Sequence, residues 1–174
     1  MKRVAVLAVV LAIGTAGCAK SSTSPSTTSP TKPTFTADLR PANEVPPISN
    51  AEATGSGTAT VTFDLTKDAA GNVTAGTATF VVNLAGFPAG TPINIAHIHQ
   101  AGSGVVGGVV FSTSLTANEV NLATGTGSFV KAGIAPSDPA LFNTIINNPA
   151  GFYFNVHSTL NPGGVARGQL VKVQ

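Results

Sequence analysis

The run "TATVTFDLTKDAAGNVTAGTATFVVNL", residues 58–84, sets the tightest limit on what this chain can fold into. Val61, Phe63 and Leu65 alternate with Thr60, Thr62 and Asp64, and beyond "KDAAGNV" the residues Ala78, Phe80, Val82 and Leu84 again take every second position. A period of two puts one set on a buried face and the other on a wetted one, which is the pattern of a half-buried strand. Gly71 and Asn72 in the intervening segment can adopt left-handed backbone angles, so residues 57–84 are expected to form an antiparallel hairpin.

Further strand-like runs follow at near-regular spacing: "INIAHIH", "GGVVFST", "TGTGSFV", "GFYFNVHSTL" and "VARGQLVKV". Nineteen glycines and twelve prolines against only 9% charged residues disfavour helices, leaving an all-β chain with short strands joined by turns. The expected architecture is antiparallel, a Greek-key-like sandwich or an open barrel. One short amphipathic helix is predicted near 138–148, where Ser137 reads as the N-cap, Asp138 and Pro139 as the first turn, and Leu141/Ile145 and Phe142/Ile146 as apolar pairs four apart. Asn147, Asn148 and Pro149 would stop it after about three turns, and its expected role is to plug an open end of the β-structure.

The first residues have another logic. Lys2 and Arg3, an apolar run from Val4 to Ile13 and small residues up to Cys18 form the pattern of a secretory signal, too short to span a bilayer. The segment is similar to a bacterial lipobox, with Thr15 where a large aliphatic residue is usual. The expected organisation is therefore a signal peptide over 1–17, a lipidated Cys18 with a Ser/Thr/Pro-rich linker over 18–34, and a β-domain over 35–174. Acyl chains contribute about 0.8 kcal/mol per buried methylene, so the lipid alone would tether the domain. Export follows, with Ala19 after the cysteine favouring the outer membrane or cell surface. Loss of Lys2 and Arg3 would leave seven basic against seven acidic residues, so no nucleic-acid partner is expected. The expected partners are the membrane, through the lipid only, and a protein or small ligand that the residues do not identify.

Three separated stretches, "FTADLRPANEVPPISNAEATGSGTA", "AHIHQAGSGVVGGVV" and "GFYFNVHSTLNPGGVARGQL", resemble in order the motifs of the CHRD domain of chordin and of many bacterial secreted proteins. The likeness runs from Phe35 to Leu170 and rests on Asn43–Pro47, Ala96–His99, Asn155–His157 and Arg167–Gln169. Val165-Ala166 departs from it, because the family often carries a glutamate before the Arg-Gly-Gln. In chordin such domains belong to an extracellular ligand-binding protein. The resemblance therefore implies a binding or structural module and brings no catalytic residues with it.

The chain has three histidines, and on a strand His97 and His99 project from the same face with Ile98 behind them. With His157 they could supply the three imidazoles of an open copper or zinc site, an arrangement similar to the strand His-x-His of copper/zinc superoxide dismutase. Dismutase activity is not expected, since that enzyme's metal sites use more histidines than this chain has. The other reading makes the histidines polar fasteners at strand ends, bonded to loop carbonyls, to Glu44 or to Asn155. The residues thus imply no cofactor outright, with copper or zinc as the alternative. Arg167 should be buried against a carboxylate or carbonyl, Glu44 being the carboxylate expected. If "NPGG" closes the last hairpin with Leu160 opposite Val165, Gly168 lies across from His157 and leaves room for the imidazole. "QAGSGVVGG" lacks the lysine and following helix of a phosphate loop, and no Ser/His/Asp order or acid pair suggests an enzyme. Self-association through a strand edge fits the composition but has no particular residues behind it.

Overall fold

The period-two hairpin forms where the alternation places it. In a computed structural model that describes Met1 and residues 32–174, β2 (Ser56–Lys67) pairs antiparallel with β3 (Val73–Ala85), and Val61 stands opposite Phe80. Asp68 shapes the turn, its Oδ1 accepting from the backbone N–H groups of Ala70 and Asn72. The signal, Cys18 and most of the linker lie outside the described residues.

Around this hairpin, β1 (Thr34–Leu39), β7 (Gly127–Ile134) and β10 (Val171–Lys172) complete a sheet of order β10-β1-β2-β3-β7. The second sheet has the order β5-β4-β8-β9, from β4 (Thr91–Gln100), β5 (Gly108–Ser112), β8 (Phe152–Ser158) and β9 (Ala166–Gln169), with β6 (Val120–Leu122) also pairing with β4. The fold is thus the antiparallel two-sheet sandwich, and the described residues form no closed barrel. Between β3 and β7 the chain visits the second sheet through β4, β5 and β6, then returns to lie beside β3. The run "VARGQLVKV", read as one strand, divides at Leu170, with β9 in one sheet and β10 in the other.

Both inner faces are apolar. Phe80 reaches from the first sheet to Phe111 at 5.3 Å and Phe154 at 6.0 Å in the second, measured between ring centroids. Such tilted and edge contacts suit the aromatic quadrupole. The helix α1 (Ala140–Asn147) closes one end of this core by placing Phe142 against Phe63 and Phe111. It is two turns long, shorter than the sequence pattern suggests. Its cap also differs from Ser137, because Asp138 Oδ1 accepts from the Ala140 N–H and Pro139 occupies the N-cap position. A shorter side chain one residue further back cannot serve that first turn.

The last hairpin corrects the expected register. Phe154, not His157, stands opposite Gly168. Gly168 is instead demanded by β1, since a Cβ there would come within 2.2 Å of the Asp38 carbonyl oxygen. That approach holds an antiparallel bridge between Arg40 and Arg167, which stitches the end of β1 to β9 across the two sheets.

Phe80→Ala should cost about 3–5 kcal/mol in urea unfolding, as expected for removing an aromatic ring from a dry core. Gly168→Ala should cost about 2–3 kcal/mol by forcing the stitched backbones apart. Unchanged unfolding midpoints in both variants would contradict this packing.

Candidate functional site

Strand β8 exposes neither of its faces, every residue from Phe152 to Ser158 being buried. Phe152, Phe154 and Val156 point into the core, so Tyr153, Asn155 and His157 point outward, under loops. Register builds a polar patch from them. His97 on β4 stands opposite Asn155, which stands opposite Arg167 on β9, while His99 stands opposite Tyr153. His157 is the next outward residue of β8, diagonal to His97. The bulge in β4 between Ile93 and Ile95 resets its alternation so that both histidines face this way.

All three imidazoles come together. One ligand nitrogen from each of His97, His99 and His157 lies within 4.8 Å of the other two. His99 Nε2 is 3.0 Å from His97 Nδ1. Tetrahedral nitrogens around an ion at 2.0–2.1 Å are about 3.3 Å apart, so His97 and His99 are already at ligand spacing, and closing the group on His157 takes shifts of no more than about 1.5 Å. The rings of His99 and His157 are near parallel at 21°, with His97 roughly perpendicular to both.

Backbone carbonyls orient two of the rings. His99 Nδ1–H donates to the Gly107 carbonyl at 2.9 Å and His157 Nδ1–H to the Pro162 carbonyl at 2.8 Å. Neither Glu44 nor Asn155 serves the histidines, as the sequence had also allowed. A neutral ring that donates from Nδ1 keeps a lone pair on Nε2. His99 Nε2 then accepts from His97 Nδ1–H, whereas His157 Nε2 is buried with no partner at all. The glycine-rich loop supplies the carbonyl for His99 and no phosphate cradle, and "NPGG" supplies the one for His157.

Arg167 anchors the neighbouring half. Its Nε donates to the Asn43 carbonyl at 2.6 Å and its Nη1 to the Val105 carbonyl at 3.1 Å. Its guanidinium also lies 4.7 Å from the centre of the Tyr153 ring. Glu44 is beside it as expected, although at 3.9 Å from Nε the contact is loose. Gly164, at φ +134°, roofs this corner, where a Cβ would lie 2.6 Å from Asn155 Nδ2 and 2.9 Å from either Glu44 oxygen.

Residues 35–170 match the CHRD domain. The chain belongs to the CHRD domain family. No curated protein and no solved structure gives a significant match.

In this CHRD domain two contributors to the site are absent from the residues singled out in the sequence, although both lie in stretches that carry the family resemblance. Tyr153, the chain's only tyrosine, stacks on His99 at 4.7 Å and 4°, and its position four before His157 on one strand was the available signal. Glu52 is buried and accepts from the Ser158 hydroxyl at 2.6 Å and from the Asn161 side chain, tying the loop after β1 to the turn that holds His157. No local pattern foretells that contact across the fold.

Burial pushes all three histidines below the ordinary imidazole value, His97 down to about 3 with His157 and His99 adding to the effect. The cluster is therefore neutral at pH 7, the state that binds metals. Burial pushes Glu44 up to about 7 against the opposing pull of Arg167.

These shifts have opposite signs in stability. Each histidine, depressed on folding, takes up its proton more readily in the unfolded chain, so stability falls as pH drops below about 6.5. Glu44, raised on folding, stabilises fully below about 4.5 and loses that contribution as pH rises towards 7. In metal-free protein the three histidines should outweigh the one carboxyl, and urea midpoints should rise between pH 4.5 and 6.5. His97→Gln should flatten that rise, and Glu44→Gln should gain on wild type between pH 4.5 and 7. Midpoints insensitive to pH in the wild type would rule out a neutral buried cluster.

Proposed function

We propose that this protein is an exported, lipid-tethered CHRD binding module without catalysis of its own, and that what it binds is a first-row metal ion, copper or zinc, through His97, His99 and His157. The observation that carries the reading is the lone pair of His157 Nε2, buried without a partner beside two converging imidazoles. A buried acceptor left unsatisfied costs about 1–3 kcal/mol, which a bound ion would recover. Two of the rings have their far nitrogen fixed by a backbone carbonyl, the outer arrangement that sets tautomer and orientation in metal sites. In the metal-free cluster the contact between His97 and His99 holds a proton. For Nδ1 to ligate, His97 gives up that proton and takes the Nε2–H tautomer. No Asp or Glu belongs to the group among the described residues, so the donors are all neutral nitrogens, which suit copper and zinc better than calcium or magnesium.

The full chain, purified in detergent and exposed in turn to zinc, copper(II) and, without oxygen, copper(I), should retain one equivalent of at least one of them. His157→Gln should weaken retention more than about 100-fold while leaving the far-UV circular dichroism unchanged. A wild type that retains none, or a variant that retains metal equally well, would overturn the reading.

The tether rests on the pattern around Cys18. Cys18→Ala should abolish labelling by radioactive fatty acid and release the protein from the membrane fraction. Unaltered fractionation would refute a lipid anchor.

A further inference from the structure

The cluster offers three donors and shields them, and those two facts bear on which ion it prefers. Among the described residues the group contains His97, His99 and His157 and no other His, Cys, Asp or Glu. Neither of the two nearby carboxylates belongs to the group. Glu52 accepts from Ser158 and Asn161, and Glu44 faces Arg167 and Gly164. Sulfur is absent from the β-domain, since the chain's one methionine and one cysteine are Met1 and Cys18. The Tyr153 hydroxyl accepts from the Gly107 N–H, and its ring lies flat against His99 instead of pointing at the nitrogens.

Little of the three histidines meets solvent. His97 and His99 are each 8% exposed and His157 is 5% exposed. Charge adds a second restriction. Arg167, itself 4% exposed, lies over the Tyr153 ring that stacks on His99, and among the described residues Glu44 is the one acidic side chain within 4.0 Å of its guanidinium. Each extra positive charge placed there is more costly than it would be in water.

Zinc(II) takes four ligands, so a three-histidine zinc site needs a water or anion in the fourth place. Copper(II) prefers a tetragonal set with the same need. Copper(I), with a filled d shell and a single charge, is content with three nitrogens in one plane and makes no demand for an added oxygen. On the reading that these histidines bind metal, we infer that the site is selective for copper(I) over both zinc(II) and copper(II). Carbonyl anchoring of His99 and His157 fixes two of the three rings by their Nδ1–H and leaves the Nε2 lone pair of each for the ion. The occlusion protects the bound ion from water.

Competition measures the selectivity directly. Full-length protein in detergent is titrated with copper(I) under anaerobic conditions against bicinchoninate, and with zinc(II) and copper(II) against chromophoric chelators of known affinity. Copper(I) should bind one per chain and at least about tenfold more tightly than either divalent ion. X-ray absorption should give about three nitrogen neighbours and no sulfur. His99→Gln should abolish the selectivity, and Arg167→Met should raise divalent affinity by relieving the adjacent charge. Zinc(II) or copper(II) bound more tightly than copper(I), or a fourth light-atom ligand on copper(I), would overturn the selectivity while leaving metal binding intact. Failure to retain any of the three ions would overturn both.

Discussion

Strand β8 must bury both of its faces, and much of the second sheet follows from that demand. Its inward side chains are apolar and need only the facing sheet, with Phe154 meeting Phe80 across the core. Its outward side chains, Tyr153, Asn155 and His157, are polar, and polar groups withdrawn from water need partners. Three loops supply carbonyls in answer, from Asn43, from Val105 and Gly107, and from Pro162. The loops are therefore held by the polar face they cover. The Arg40–Arg167 bridge and the Glu52 contacts keep two of them in place.

The satisfaction is incomplete in one place. Glu44 Oε1, Asn155 Oδ1, His157 Nε2 and Arg167 Nη2 are the buried side-chain atoms left without partners among the described residues, and all belong to this patch. An apolar core tolerates no such atoms without cost, and here all four are concentrated under one set of loops. The electrostatics divide along the same line. Three imidazoles are driven neutral on one side, while a fixed guanidinium faces a carboxyl raised to about 7 on the other. The Tyr153 ring lies between the two halves, stacked on His99 and under the Arg167 guanidinium.

Reading these residues from the sequence succeeded where the signal was local and periodic. The alternation in β2 and β3 foretold both the hairpin and its inner face, and the His-x-His spacing foretold that His97 and His99 point together. It failed where one residue's position depended on a distant one. Gly168 looked like room for an imidazole, but its contact is with Asp38, 130 positions earlier in the chain. Register shifts of this kind are invisible to a period of two, which cannot say which residue of the partner strand stands opposite. The helix cap moved for a smaller reason, because Asp138 and Ser137 are both good caps and the first turn accepts only the one that reaches Ala140.

By itself the sequence determined an all-β chain, its principal hairpin, and the fact that two histidines share a strand face, because strand geometry fixes side-chain direction from one residue to the next. Only the tertiary structure decided that His157 joins them, that backbone carbonyls rather than Glu44 or Asn155 orient the rings, and that the cluster is buried and neutral. Those outcomes depend on the pairing of β4, β8 and β9 and on loops folding back over them, and such contacts between residues far apart in the chain have no local signature.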